Sequence, residues 1–441
     1  MNTVNRISTL ALSVAVALAI NAPAFADADY AYGHNASSAS KGYETLHLSM
    51  APGEPGVNAA ATMAPSSPDG AKTLDAGHTG HAGSDEKTGD NTIEIYGKLY
   101  MSLGYSDPGS DAPDVLDLSS HGSYLGVRGN QPLNAALHLF WQIESGVDLD
   151  NLGEGGHDGG GNTSSFGGRD TFIGLSGNAG TVLFGKHFTP LTMVLHANDP
   201  FAHIPGDARS MLGYVGHHYE SKLDSGHGTI FYVRAPNSIV YLSPEVGGFS
   251  ANVALIAIDE SMHDGVRLPG TSLSLSFKRG DFNIAYAFER HHGLDVKTSH
   301  SSPDDPNVLD RTQVHLLSAM YHFPTTMVNV AVQRLDVKDS VDGNHDRMAY
   351  HVSVQQMFGP HSLRAAYAQA TDFGNHSSGN SDGGQIITVG WFQALSSTTE
   401  AYVAVASTDN EKRGDFGTFF VDDVSRGDDP TTLAIGMIHS F

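Results

Sequence analysis

Cysteine is absent from all 441 residues, which excludes a disulfide scaffold, thiol chemistry and cysteine-ligated metal. Charge is scarce too. Asp, Glu, Lys and Arg make up 16% of the chain, against roughly 25% in an ordinary soluble domain. Lys plus Arg number 24 against 48 Asp plus Glu, for a formal net charge of -24. A surface of that sign repels phosphate backbones, so nucleic acid is excluded as a partner. After residue 20 no apolar run is long enough for a membrane-spanning helix. The signatures of catalysis are missing as well. No H-E-x-x-H occurs, and none of the 24 histidines accompanies a G-x-S-x-G turn. The expectation is therefore a chain that is not an enzyme and has no cofactor.

Glycine is abundant at 50 residues, and the chain changes character twice. Residues 1–26 read as a secretory signal peptide. Arg6 gives the positive start, residues 10–20 the apolar core, and Ala24-Phe25-Ala26 a small-x-small cleavage site. Residues 27–90 are rich in Ala, Gly, Ser, Pro and His. They hold too little apolar surface to offset the entropy of ordering them, and read as a flexible extension.

From residue 91 to 441 the apolar period is two. Ile93, Ile95, Leu99, Met101 and Leu103 alternate with Glu94, Tyr96, Lys98, Tyr100 and Ser102. Leu137, Leu139, Trp141 and Ile143 alternate with His138, Gln142 and Glu144. Sixteen such segments recur, the second placed at 122–130 with a turn over 129–133. Short connections alternate with long Gly/Asp-rich ones such as 106–121 and 189–235. Each segment is near the roughly 9–11 residues that cross a bilayer at a tilt. Half-apolar strands with Lys98, Glu144 and Arg364 on the other face suit a wall with lipid outside and water inside. In lipid an open sheet edge has no partner, so the wall must close. The expected fold is all-β: a 16-stranded antiparallel transmembrane β-barrel with an inward-folded constriction loop.

That loop is the 189–235 connection, far longer than the median of about 4–6 residues. It carries Leu191, Met193, Val194, Leu195, Phe201, Ile204, Met211 and Leu212, which are awkward on an open cell surface and well placed against the inner wall. Its acidic residues Asp199, Asp207, Glu220 and Asp224 are expected to face the opening. Lys98, Arg128, Lys186, Arg234 and Arg364 form the expected basic wall across from them. Lys186 shares the parity of Val182 and Phe184, so the strand ends before it or a bulge re-aims it. Opposed charge at a narrow point selects ions electrostatically.

Six stretches resemble a known family. They are IEIYGKLYMSLGY (93–105), SYLGVRGNQPLNAALHLFWQIESGVDLD (123–150), GRDTFIGLSGNAGTVLFGKHFTPL (168–191), NSIVYLSPEVGGFSANVAL (237–255) and the tail segments LSSTTEAYVAVASTDN (395–410) and AIGMIHSF (434–441). Together they are similar to the general diffusion porins of beta- and gammaproteobacterial outer membranes, as in Neisseria, Bordetella and Burkholderia. The resemblance implies an outer membrane homotrimer passing ions and small hydrophilic solutes, with outer membrane lipid and lipopolysaccharide around it. It also implies a constriction loop at 189–235 faced by Lys98, Arg128, Lys186 and Arg234. A terminal aromatic, here Phe441, is the family's usual ending. The chain departs from the family at Val240, where a basic residue is usual, and at Ser396–Thr399, where a Ser-Lys-Arg-Thr turn is usual. The alternative reading is a substrate-specific channel for phosphate or a small organic anion.

Overall fold

A computed structural model describes residues 91–109, 113–120, 122–149, 166–213, 231–256, 270–294, 309–339, 343–374, 381–421 and 424–441. The segments 1–26 and 27–90, read above as signal peptide and extension, lie outside the described residues.

The chain forms one antiparallel sheet that closes on itself. It begins with β1 (Thr92–Asp107), β2 (Val115–Ser119), β3 (Tyr124–Asn134), β4 (Leu137–Gly146), β5 (Thr171–Gly177) and β6 (Gly180–Phe188). It continues through β7 (Arg234–Leu242), β8 (Phe249–Ile256), β9 (Gly270–Arg279), β10 (Phe282–Leu294), β11 (Leu309–His322) and β12 (Thr326–Asp339). It ends with β13 (Gly343–Phe358), β14 (His361–Ala370), β15 (Gly384–Ala394), β16 (Thr399–Asn410) and β17 (Thr431–Ser440). These segments make sixteen staves. The lower part of β1 pairs with β3, Thr92 to Lys98 against Asn130 to Tyr124. Its upper part, Ser102 to Ser106, pairs with β2. β2 and β3 are therefore one stave broken at residues 120–123. Ser123 Oγ bridges the break, accepting from Tyr100 N at 2.8 Å and donating to Tyr100 O at 3.0 Å.

The seam is β1 against β17, in register from Lys98–Ser440 to Asp107–Thr431. Phe441 extends it by one residue. Gly97 N donates to Phe441 O at 3.0 Å, and Phe441 N donates to Gly97 O at 3.1 Å. Among the described strands no edge is left to template another chain, which satisfies the backbone on the lipid side.

Two details depart from the sequence reading. The turn expected at 129–133 lies inside β3, and the chain reverses at 135–136 instead. Pro132 is tolerated because the β3–β4 register shifts between Pro132 and Asn134, a bulge that removes the need for its missing N–H. The stretch 106–121, read as a loop, contains β2. The reversals at 135–136, 178–179, 280–281 and 359–360 fall at one end of the barrel. That end is periplasmic in barrels of this kind, and the longer connections are extracellular.

The outer face is apolar. Ile95, Leu275 and Ile387 are each more than half exposed, and Ile173, Phe184, Leu317 and Val330 share that face. Aromatic rings gather on it near the short turns. Phe249 stacks on Phe277 at 4.5 Å, Tyr321 on Phe323 at 4.6 Å, and Phe358 lies parallel to Trp391 at 6.5 Å. Such girdles mark a membrane–water interface. The inner face splits into polar rows and rows of alanine, among them Ala285, Ala287, Ala331, Ala349, Ala366, Ala368 and Ala404.

Gly97 sits on the outer face beneath the Phe441 ring. A Cβ there would lie 2.4 Å from Phe441 Cζ and 2.9 Å from the Tyr124 carbonyl oxygen. Gly97→Val is therefore expected to loosen the seam, read as a lower temperature for conversion of the folded band on SDS gels. Combining it with Phe441→Ala should recover part of the loss. An unchanged transition in Gly97→Val would show that the ring does not clamp the closure.

Candidate functional site

The connection after β6 turns into the lumen. Thr189 caps a helix, α1 (Pro190–His196), its side chain accepting from Thr192 N, with Pro190 in the first turn where no N–H is needed. All of α1 is buried. The sequence reading did not anticipate this helix, since seven residues are too few to show a 3.6-residue period. Leu191, Val194, Leu195, Met211 and Leu212 pack on Ala285, Ala287, Val314, Leu316 and Ala349 of the wall. Phe188 and Met193 meet Phe140, Phe172 and Leu183. Phe201 and Ile204, further along, reach Ala366, Phe392, Tyr402 and Ala404. Each large side chain so buried contributes roughly 1.5–3 kcal/mol. The alanine rows leave the space that these side chains fill.

Polar contacts fix the loop's position. Leu191 N donates to Ser272 Oγ at 3.2 Å, and Asn198 Nδ2 donates to Val194 O at 2.8 Å and to Ser318 Oγ at 3.0 Å. Asn329 Nδ2 donates to Asn198 O at 2.8 Å, and Gly206 N to Thr418 O at 3.1 Å. Gly206 has φ +87°, and a Cβ there would overlap the Thr388 side chain, so only glycine passes this point.

Asp199 and Asp207 turn into the loop rather than toward the opening. Asp199 accepts from Phe201 N at 2.9 Å and Ala208 N at 2.8 Å. Asp207 accepts from His203 N at 2.7 Å and is paired with Arg209 at 2.8 Å. A carboxylate oxygen is the strongest acceptor available to N–H groups left over in an irregular segment, and this explains their orientation. Burial pushes the Asp199 carboxyl up to about 7, the charge of Asp207 adds to this, and the Ala208 and Phe201 N–H groups oppose it. Burial also works on Asp207, but the Arg209 guanidinium holds it below its usual range. Burial, then Arg209 and His203, hold His196 well below the usual histidine range; its ring stacks on His203 at 5.3 Å. Glu220 and Asp224 lie outside the described residues.

The wall residues form two groups joined by Lys98. On the side where the loop departs, Arg169 pairs with Glu144 at 2.7 Å and Arg234 with Asp170 at 3.1 Å. Lys186 lies within electrostatic reach of Arg234, Asp170 and Arg169 and donates to Gly168 O at 2.5 Å. The parity problem at Lys186 is resolved by a register shift between Gly185 and His187, with Gly185 at φ +142°. Arg169 and Arg234 lie over the Tyr124 and Phe188 rings, at 4.7 and 4.0 Å. In the second group Arg364, fully buried, pairs with Glu400 at 2.5 Å, donates to Pro200 O at 3.3 Å and lies 3.6 Å from the Phe392 ring centre. Lys98 Nζ sits 4.8 Å from the Tyr100 ring centre, within electrostatic reach of Glu400, Arg169 and Arg364.

The structure thus brings Lys98, Lys186, Arg234 and Arg364 around the loop. Arg128 stands apart toward the short turns, paired with Glu94 at 2.8 Å and stacked on Tyr96. Tyr96 links it back, donating to Glu144 Oε2 at 3.1 Å. Asp170 and Glu400 were missed by sequence reasoning. Glu400 shares strand parity with the buried Tyr402, Ala404 and Ala406, so its inward position was available from the pattern. Asp170 precedes its strand and carries no such signal. Among the described residues no cluster of three His, Asp or Glu side chains could hold a metal ion.

A family model described as "Gram-negative porin" matches residues 57–413. The major outer membrane protein P.IA of Neisseria meningitidis is 25% identical over 289 residues, 58% of this chain and 67% of the relative. The P.IB protein of Neisseria lactamica is 26% identical over 291 residues, 63% and 74% of the two chains. Among solved structures, the anion-selective porin from Comamonas acidovorans superposes with a TM-score of 0.66 at 21% identity, covering 80% of this chain and all of that one. The trimer form of OmpT from Vibrio cholerae superposes with a TM-score of 0.58 at 15% identity, covering 80% and 99%. These likenesses point to a channel rather than an enzyme. Since the family match takes in most of its length, the chain belongs to the Gram-negative porins of the outer membrane.

Proposed function

We propose that this porin passes ions and small hydrophilic solutes passively through the gap between the loop and the charged wall, with a mild preference for anions. The supporting observation is the wall's charge balance. Among the described residues, five cationic groups, Lys98, Arg169, Lys186, Arg234 and Arg364, stand near three carboxylates, Glu144, Asp170 and Glu400. Local charge at a narrow, low-dielectric point outweighs the chain's overall acidity, which salt screens beyond about 10 Å. The Comamonas porin's description as anion-selective agrees with this reading. A dedicated phosphate channel fits less well. Arg169, Arg234 and Arg364 are each engaged by a carboxylate, so they are poorly placed to replace a phosphate's hydration. The assembly is read as a homotrimer, as the trimeric neighbour suggests. Residues 1–26 are read as the export signal and 27–90 as an N-terminal extension, from their composition.

Two outcomes test the filter. Planar-bilayer reversal potentials under a salt gradient should fall on the anion side for the wild type. Lys98→Glu with Lys186→Glu should move them to the cation side, with a severalfold change in permeability ratio. A cation-side wild type, or a reversal potential indifferent to both lysines, would contradict the proposal.

Arg364→Met leaves Glu400 buried without its partner, a change that typically costs about 3–5 kcal/mol, and it also removes the hold on Pro200. The folded band should convert at a lower temperature, and Arg364→Met with Glu400→Gln should recover much of the difference.

The pH response follows from Asp199. Its pKa is about 7 in the docked loop against about 3.9 in an open one, so the docked loop binds the proton more tightly. This contribution to docking is complete below about pH 4 and is lost as pH rises through 7. His196 acts in the opposite sense, weakening docking as pH falls below about 6.5. Subtracting an Asp199→Asn profile isolates the carboxyl. Flicker between conductance levels should rise from pH 5 to pH 8 more steeply in the wild type than in Asp199→Asn. Parallel profiles would show that Asp199 does not hold the loop.

A further inference from the structure

The tripeptide Arg-Gly-Asp occurs three times in the chain, at 279–281, 413–415 and 426–428. It sets a guanidinium and a carboxylate two residues apart, with no side chain between them. The fold separates the three copies. Gly280 and Asp281 make the reversal between β9 and β10, at the short-turn end, which faces the periplasm. Arg413-Gly414-Asp415 stands at the long-loop end, but Asp415 is buried and engaged. Arg426-Gly427-Asp428 lies in the same connection, between β16 and β17. There Arg426 and Gly427 are exposed and Asp428 is half-buried.

The backbone of this third copy is pinned. Asp428 N donates to Ser425 O at 3.1 Å, which closes a four-residue turn. Gly427 takes φ +80°, the value of the third residue in a type II turn. A Cβ at Gly427 would also come within 3.1 Å of Lys412 O. Gly427 N donates to Gly414 O at 2.8 Å. Asn410, the last residue of β16, holds the other side. Its Nδ2 donates to Asp428 O at 2.7 Å, and its N donates to Asp429 Oδ1 at 2.8 Å. The side chains are the opposite case. Among the described residues, nothing pairs with or hydrogen-bonds to the Arg426 guanidinium or the Asp428 carboxylate. Other polar side chains of this connection, such as Asn410 and Thr418, are taken up in holding it together. The two charges at 426 and 428 do nothing for the loop, and the fixed turn presents them outward.

We propose that Arg426-Gly427-Asp428 is a docking point on the extracellular face for an adhesion receptor of the integrin class on an animal cell. Such a receptor takes the guanidinium on an acidic pocket, through paired N–H···O bonds. It takes the Asp carboxylate as an oxygen ligand of a bound divalent cation. A turn already fixed by its backbone lowers the ordering cost of this binding, and the bare glycine lets the receptor close between the two side chains. The assignment rests on the outer membrane location and is independent of what crosses the pore.

Surface plasmon resonance of the full-length protein in detergent, over an immobilised integrin that reads Arg-Gly-Asp, in millimolar Mg²⁺, tests it. The wild type should bind. Chelating the cation, or adding a cyclic Arg-Gly-Asp peptide, should weaken the signal at least tenfold, and an Arg-Gly-Glu peptide should leave it unchanged. Asp428→Glu keeps the charge and the backbone bonds of the turn, and Arg426→Gln alters an exposed side chain. Each should weaken binding at least tenfold. Asp281→Glu, at the short-turn end, should stay within twofold of wild type. All three variants should keep the wild-type conversion temperature of the folded band on SDS gels. The chelation and peptide arms need no variant, so the proposal is decided even where one folds poorly. Intact bacteria carrying the protein should adhere to the same coated surface, and those carrying Arg426→Gln should not. Absence of wild-type binding, binding that survives chelation or the cyclic peptide, or equal binding by Asp428→Glu and Arg426→Gln would overturn the proposal. Failure of intact bacteria to adhere would overturn it too, by placing the tripeptide out of reach.

Discussion

A backbone N–H or C=O that faces hydrocarbon has no water to turn to, and the architecture of this porin follows from that constraint. The wall must close, and the seam between β1 and β17 is where it does. The chain's last residue completes the ladder against Gly97. The broken stave shows the same constraint at small scale. Where β2 gives way to β3 the backbone pattern fails, and Ser123 Oγ takes over both polar groups of Tyr100. Once the outside is closed and apolar, every charged side chain of a strand has only the lumen or the two rims available. The clustering of Lys98, Arg169, Arg234 and Arg364 inside, and of Arg290, Arg311, Arg334 and Lys338 at the rim, is a consequence of that partition.

A sixteen-stranded wall leaves a lumen too wide for side chains alone to fill, and here the loop after β6 fills much of it. Its docking is mainly apolar, on alanine rows that a dry core would have filled with leucine. That combination makes the constriction a packed structure rather than a flap. Polar anchors from β9, β11, β12 and β14 then set its orientation. Asp199 and Asp207 belong to this internal scaffold, and the charge presented to solutes comes more from the wall than from them.

Legibility in the sequence follows the same physics. Strand parity was readable wherever one face meets lipid and the other water, because alternation is then enforced over many residues. Lys98, Glu144 and Arg364 were placed inward on that basis, and the inward-folded loop was readable from its apolar content. The pattern is silent where the lumen side is itself apolar, as along Ala285, Ala287, Val314 and Leu316, since both faces then look alike. It misled at Pro132, where a residue that ordinarily ends a strand sits in a bulge. It could not orient Asp199 or Asp207, because in an irregular loop direction is set by which N–H groups are left over. Asp170 shows the same limit one residue before its strand. The sequence marked Arg128 as a lumenal cation but not its height, which only the register against β1 supplies.

Pairing inside the lumen has a consequence for selectivity. Arg169–Glu144, Arg234–Asp170 and Arg364–Glu400 each join opposite charges within about 3 Å, so from the pathway they act largely as dipoles, whose fields fall off faster than those of single charges. On the proposed reading, what a passing ion senses is the net charge of the whole wall, Lys98 and Lys186 included. Buried ion pairs keep the shape of that wall, so an arginine of a pair cannot change without loosening the wall or the loop.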